Sequence, residues 1–268
     1  MSILQEIADF KRVEVQERKE LYPTKLLERS KYFSSPCLSL AEYIKRPDKS
    51  GIIAEFKRKS PSETNINLYG NVEEITISYM QAGASGLSIL TDEKYFGGSL
   101  KDLETARAFN YCPILRKDFI IDPYQIVEAR SYGADAILLI AEILSETEIK
   151  SLSQFAKTLD MEVLIETHSA EQLQKIDFEN IDLLGINNRD LSDFSISLET
   201  SISIAKSHNE NIPLISESGI KTTDDIDELL KVGIDGFLIG TRFMKSGSPY
   251  ESCKSFSNHI LNQLEPCL

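Results

Sequence analysis

IPLISESGIKTTDDIDELLKVGIDGFLIGTRF, from Ile212 to Phe243, holds the pattern on which the fold turns. It opens on a short apolar run that becomes polar at Ser216, Glu217 and Ser218 and breaks at Gly219. Thr223 and the two acidic residues before Ile226 mark a helix start, apolar residues then recur at three and four through Leu229 and Leu230, and Gly233 closes the helix. A second apolar run from Gly236 follows and breaks at Gly240. The apolar runs are near-continuous rather than alternating, as expected of parallel strands buried on both faces.

The same unit recurs along the chain. GIIAEFKRKSP from Gly51, GLSILTDE from Gly86, CPILRKDF from Cys112, DAILLIAEI from Asp135, EVLIETH from Glu162 and DLLGINNRD from Asp182 join the two runs above to make eight. Matched starts at Ile52, Leu87, Ile114, Ala136, Val163, Leu183, Pro213 and Gly236 lie 20 to 35 residues apart, each room for one strand and one helix. Ser145 and Glu148 have capping-box spacing at one of the helix starts. A doubly wound open sheet also alternates β and α, but eight regular units without a G-x-G-x-x-G favour closure. The predicted fold is therefore α/β, a (β/α)8 TIM barrel, one domain over 1–268 with residues 1–48 as an N-terminal helical extension. Ile3, Leu4, Ile7, Phe10 and Val13 recur at helical spacing there and predict a helix packed on the barrel.

Composition narrows the function classes. The chain has 268 residues, 41% hydrophobic and 26% charged, ordinary for a globular protein. A net charge of -13 argues against nucleic acid as a partner. Cys37, Cys112, Cys253 and Cys267 are scattered without C-x-x-C pairing, which favours reduced thiols and a cytoplasmic setting over a disulfide framework or a zinc site. The amphipathic N-terminus does not read as a signal peptide. The longest apolar run, Ala136 to Leu144, is interrupted by Glu142 and too short for a membrane span.

In such a barrel the C-terminal strand ends converge on the active site. Five of the runs become charged or polar there: Glu55, Lys57 and Lys59; Lys117 and Asp118; Glu166; Asn187, Asn188 and Arg189; Glu217 and Ser218. Any one of these could be a solvated loop residue; five together point to a site. Gly219 and Gly240, after strands seven and eight, let backbone N–H groups approach an anion, with Thr241 beside the second turn. A terminal phosphate is the expected anchor.

IIAEFKRKSPS, GLSILTDEKYFGGS, PILRKDFIIDPYQI, LIETHS, LGINNRDL, SESGI and FLIG follow in order from Ile52 to Gly240, and this succession resembles the indole-3-glycerol-phosphate synthase family. KRKSPS and LRKDF are its most specific blocks; SESGI and the final Gly are shared with other phosphate-binding barrels. The resemblance implies conversion of 1-(2-carboxyphenylamino)-1-deoxyribulose 5-phosphate into indole-3-glycerol phosphate, with loss of carbon dioxide and water. Lys117 then matches the family's catalytic acid, and cationic neighbours would lower its pKa toward neutrality. Glu166 matches the carboxylate assigned to proton traffic on the closed-ring intermediate. Lys57 is a second cation for phosphate or carboxylate that assists dehydration, and Glu55 holds the lysines in place. Asn187, Arg189, Glu217 and Ser218 are the expected polar substrate-binding positions, with Arg189 directed to the substrate carboxylate or to Glu217, and Glu217 supporting rather than proton-transferring. Phe96, Phe119, Leu138 and Leu191 are the expected apolar wall.

His168 reads as a plain polar loop residue, with no metal cluster about it. Ring closure, decarboxylation and dehydration need proton transfers and electrostatic stabilisation, so neither metal nor other cofactor is implied. Two rivals remain: a phosphoribosylanthranilate isomerase, against which no Cys ends strand one, and a catalytically dead scaffold barrel, against which the lysines and Glu166 are all present. The expected partner is a small phosphorylated aromatic substrate, with no nucleic acid and no membrane. The expected state is a monomer, with association with other tryptophan-pathway enzymes left open.

Overall fold

The computed structural model describes residues 3–190, 194–208 and 210–264. Among them, eight parallel strands close into a barrel in chain order. They are β1 Ile52–Phe56, β2 Gly86–Leu90, β3 Ile114–Lys117, β4 Ala136–Ile140, β5 Glu162–Thr167, β6 Leu183–Asn187, β7 Leu214–Glu217 and β8 Gly236–Ile239. Closure is made between β1 and β8, with Ile52 opposite Phe237 and Ala54 opposite Ile239. β2 and β5 start one residue before the expected positions and β7 one after, where Pro213 has no N–H to give the ladder.

Alternation along the strands divides the apolar residues between two layers. Ile53, Leu115, Leu138, Leu164, Leu183, Ile215 and Leu238 fill the barrel interior. Their chain neighbours Ile52, Ile114, Ile137, Val163, Leu184, Leu214 and Phe237 face outward, under a ring of helices. Those helices include α4 Val72–Gln81, α5 Leu100–Phe109, α6 Pro123–Ser131, α7 Glu146–Lys157, α8 Ala170–Leu173, α9 Glu199–Ser207 and α10 Thr223–Leu230, with α11 Thr241–Met244 and α12 Pro249–Leu264 after the last strand; the helices of the N-terminal extension precede the first. The capping box at Ser145 and Glu148 forms as expected. On α10 the cap is Thr222, not Thr223, because Thr222 pairs reciprocally with Asp225. At the opposite end of the barrel from the site, Asp135, Asp182 and Asp235 accept the backbone N–H of Ile114, Val163 and Leu214, pinning the start of one strand to the next.

The N-terminal extension, α1 Ile3–Leu21, α2 Thr24–Leu27 and α3 Leu40–Lys45, covers both ends of the barrel. At the bottom Leu40 and Ile44 of α3 plug the interior, so close that a Cβ on Gly86 would meet Leu40 at 2.7 Å and one on Gly236 would meet Ile44 at 3.1 Å. The carboxylate of Glu162 accepts the N–H of Leu40 and Ala41 at the start of that helix, where the helix dipole favours an anion. At the top Leu4 and Ile7 of α1 join the interior cluster. The stripe that α1 buries is Leu4, Ile7, Ala8, Lys11 and Val15. This corrects the expected face at one position: Val13 is 58% exposed, because it lies about 200° round the helix from Lys11. No helix among the described residues is long and apolar enough to cross a membrane.

Candidate active site

Because strand side chains alternate, every second residue near a strand's C-terminal end faces the barrel mouth, and in this chain several of those are charged. Glu55 on β1 pairs with Lys57 just beyond it, Nζ to Oε1 at 2.6 Å. The last residue of β3, Lys117, lies 2.7 Å from Glu166 Oε2 on β5 and 3.0 Å from Glu217 Oε2 on β7. Asn187 on β6 donates Nδ2 to Glu166 Oε1 at 3.2 Å. Two glycines make room for these carboxylates: a Cβ at Gly185 would come within 2.3 Å of Glu217 Oε1, and one at Gly240 within 2.4 Å of Glu55 Oε1.

The electrostatics differ from the expectation for Lys117. Its neighbours are carboxylates, not cations; burial alone would lower its pKa, but Glu166, Glu217 and Glu55 together raise it well above the ordinary lysine value. Nor does it pair with Asp118, which faces the opposite side of β3 and meets Lys11 and Arg116. Glu166 is buried, which favours its neutral form, yet Lys117 and His168 hold it well below the ordinary carboxylate value. Glu217 goes the other way: burial, with only Lys117 opposing it and Glu166 adding repulsion, pushes it up to about 7. Its Oε1 is buried without a hydrogen-bond partner among the described residues.

His168 also departs from its expected role as a plain loop polar group. Its side chain is only 10% exposed, and Nε2 makes a close, oblique contact with Glu166 Oε1 at 3.3 Å. Nδ1 lies 3.1 Å from the Arg189 carbonyl.

Glu55, Lys57, Lys117, Glu166, Asn187 and Glu217 border a cavity of about 510 Å³, within the usual range for a small-molecule site. Leu4 and Ile7 of α1, with Phe96, Phe119, Leu138 and Ile140, form one apolar wall of it. The Phe96 and Phe119 rings meet at 5.9 Å between centroids. Leu191 lies outside the described residues; Phe194 and Ile196, later in the chain, line the cavity.

Opposite the apolar wall are the two predicted turns. Ser218 and Gly219 take consecutive left-handed conformations, φ 65° and 83°. A Cβ at Gly219 would also come within 2.5 Å of Ile196, so glycine is required twice over. Asn188 is turned away from the cavity and donates to the Ser218 carbonyl at 3.0 Å, fixing that turn. Thr241 and Arg242 open α11, whose own helical bonds begin at the N–H of Phe243. Lys221, Arg242 and Lys245 line the cavity at this end, Lys245 paired there with Glu63, a rim that strand-tip reasoning missed.

Of the remaining KRKSPS residues, Arg58 forks onto Asp102 with bonds of 2.6 and 2.9 Å, and Lys59 bonds the Lys94 carbonyl. Both brace loops, which leaves Lys57 as the cation of that block in the site. Arg189 donates to the Phe194 carbonyl, and Glu217's ion-pair partner among the described residues is Lys117, so the expected Arg189–Glu217 support is absent there. Among the described residues no group of three or more His, Cys, Asp or Glu is arranged to hold a metal ion.

The family model described as indole-3-glycerol phosphate synthase matches residues 4–256. An indole-3-glycerol phosphate synthase from Bacteroides thetaiotaomicron is 46% identical over 258 residues, spanning 96% of this chain and 98% of its own. One from Prochlorococcus marinus is 40% identical over 266 residues, spanning 97% of this chain and 90% of its own. Among solved structures, 3-hexulose-6-phosphate synthase from Salmonella typhimurium aligns with a TM-score of 0.63 at 11% identity, over 80% of this chain and 100% of that one. The last is a likeness of fold alone.

Proposed function

The chain belongs to the indole-3-glycerol phosphate synthase family, and from that premise we propose how the residues at the barrel mouth divide the reaction. The activity is ring closure, decarboxylation and dehydration of 1-(2-carboxyphenylamino)-1-deoxyribulose 5-phosphate. The phosphate takes the turns at Ser218–Gly219 and Gly240–Thr241, whose backbone donors and rim of Lys221, Arg242 and Lys245 suit a dianion. The aryl ring lies on Phe96, Phe119 and Leu138. That leaves the carboxylate within range of Lys57 and Arg189, and the ketone over Lys117.

Ring closure turns the ketone oxygen into an alkoxide, which is more basic than any amine. A lysine of raised pKa, still charged, can therefore give up its proton at that moment. Loss of carbon dioxide restores the aromatic ring. Dehydration then needs an acid at the hydroxyl and a base at the carbon next to nitrogen; Glu166, ionised and hydrogen-bonded by Asn187, suits the base. Lys57, held by Glu55, assists departure of the hydroxyl. The observation that carries this reading is Lys117 held between Glu166 and Glu217 at the meeting point of apolar wall and phosphate turns. The purified chain given the carboxyphenylamino substrate should form indole product, read by fluorescence; phosphate binding without product would leave only a scaffold. We further read the chain as one domain acting in the cytoplasm as a monomer, and its eluted size in solution checks the last of these.

A further inference from the structure

The reaction has a proton balance that the site must meet. The substrate's carboxylate leaves as neutral carbon dioxide and its hydroxyl as water. Two protons are delivered, one to the ketone oxygen and one to the departing hydroxyl; one returns, from the carbon beside nitrogen as the indole double bond forms. Each turnover therefore takes one proton from solvent into a site where Lys117 and Glu166 are 13% and 3% exposed at their side chains.

We propose that His168 and Glu142 are the entry path for that proton, His168 passing it from Glu142 at the rim to Glu166 in the site. This rests on the reading of Glu166 as a proton carrier. A carbonyl only accepts, so Nδ1, 3.1 Å from the Arg189 oxygen, carries a hydrogen. Nε2 then faces two carboxylates, Glu166 Oε1 at 3.3 Å and Glu142 Oε2 at 3.9 Å. A neutral ring would turn its lone pair on both of them; a proton at Nε2 makes both contacts favourable. Side-chain exposure falls from 40% at Glu142 through 10% at His168 to 3% at Glu166, so the three run from solvent inward.

Once Lys117 has given up its proton it no longer holds Glu166 ionised. The ring then turns to bring Nε2–H into line with Glu166 Oε1, that bond breaks as one to the oxygen forms, and the ring is left neutral with Nδ1–H in place. Nε2 then takes a new proton through water on the Glu142 side, since 3.9 Å is too long for direct transfer. The proton that Glu166 takes from the carbon beside nitrogen makes good the one given to the departing hydroxyl, so Lys117 is the group left short; Glu166, recharged through His168 and 2.7 Å from Lys117, restores its proton. The charged groups facing the ring are Glu166 on β5, Glu142 after β4 and Glu217 on β7; burial lowers its affinity for a proton, and these three outweigh that and raise it. The Arg189 side chain is directed to the Phe194 carbonyl instead, and the backbone N–H of His168 is held by Gln172.

A residue that only positioned Glu166 would affect every turnover alike, whereas a relay is needed to reload the enzyme. His168→Gln should form indole in a single turnover within about threefold of the wild-type rate. Its steady-state kcat in dilute buffer above neutral pH should fall about tenfold and recover as imidazole is added. Glu142→Gln should show a smaller loss with the same rescue. Wild-type kcat for His168→Gln in dilute buffer, or an equal loss in both regimes without rescue, would overturn the relay; wild-type kcat for Glu142→Gln would remove Glu142 from it. Glu166→Gln should fail already in the single turnover. If it turned over normally, the underlying reading of Glu166 would fall, whatever the His168 variant did.

Discussion

Three consecutive residues of one segment, Arg116, Lys117 and Asp118, serve two buried charge clusters of opposite character. Lys117 faces the mouth and meets Glu166 and Glu217. Arg116 and Asp118 face the other side of β3, where Asp118 meets Arg116 at 2.9 Å and Lys11 of α1 at 3.1 Å. Lys11 also meets Asp92 at 2.9 Å, and Arg116 continues through Glu128 to Arg18, farther along α1. In the outer cluster charges alternate, and the field locks each state: burial opposes both ions, yet Lys11 is raised and Asp118 is held far below its ordinary value. In the inner cluster carboxylates crowd one lysine, and Glu217 is left poised to titrate. Strand alternation thus puts a strut and a reactive site back to back, one built for permanence and the other for exchange of protons.

The largest test of that contrast removes the strut. Lys11→Met strands Asp92 and Asp118 as buried charges without their shared cation, and breaking such a pair costs about 3–5 kcal/mol. Chemical denaturation should show a loss of that order, while kcat of the fraction still folded changes far less. A Lys11→Met protein as stable as wild type would mean that the outer cluster is not what fastens α1.

The converse test removes the reactive lysine. Lys117→Met should lower kcat by about 100-fold or more, roughly 2.7 kcal/mol on the barrier, with KM within about tenfold. Its cost in stability should be smaller than that of Lys11→Met, since Glu217 can take up a proton in place of its lost partner. Were the defect confined to KM, or the stability loss the larger of the two, the two clusters would not differ in the way described.

The sequence showed these two regions unequally. Strand order, turns and the residues of the mouth were legible because a barrel converts a one-dimensional pattern, apolar run then polar tip, into a shared location; Glu55, Lys57, Lys117, Glu166, Asn187 and Glu217 all line the cavity. What could not be read was the sign of the field at Lys117, which depends on Glu166 and Glu217 approaching from strands far along the chain. Lys11 was missed for a related reason. It lies four residues after Ile7 and four before Val15, so the helical period alone puts it in the buried stripe. A lysine there contradicts hydrophobic patterning unless its partners, Asp92 and Asp118, are already known. His168 carried a weak signal in its position two residues after Glu166, but its value comes from Arg189 and Glu142, which no local pattern joins to it.

The smallest expected effect distinguishes the clusters by pH. Glu217 is raised in the folded chain from an ordinary 4.5 to about 7, mainly by burial, with Lys117 opposing and Glu166 and Glu55 adding to it. Between those values the folded protein keeps a proton that the unfolded chain has released, so this group makes stability fall as pH rises through that window. Asp118 has the opposite sign: its folded value is depressed, so its contribution is present above its ordinary value of 3.8 and is lost only under stronger acid. From about pH 5 to 7, therefore, Asp118 should contribute no slope while Glu217 does. His168, also raised, adds a slope of the same sign as Glu217 near and above neutrality, so the informative quantity is the difference between wild type and Glu217→Gln. Unfolding free energies measured across this range should converge as pH falls and separate as it rises, by on the order of 1 kcal/mol in favour of the variant. Parallel curves would mean that Glu217 is ionised throughout, and the mouth would then be as firmly locked as the strut behind it.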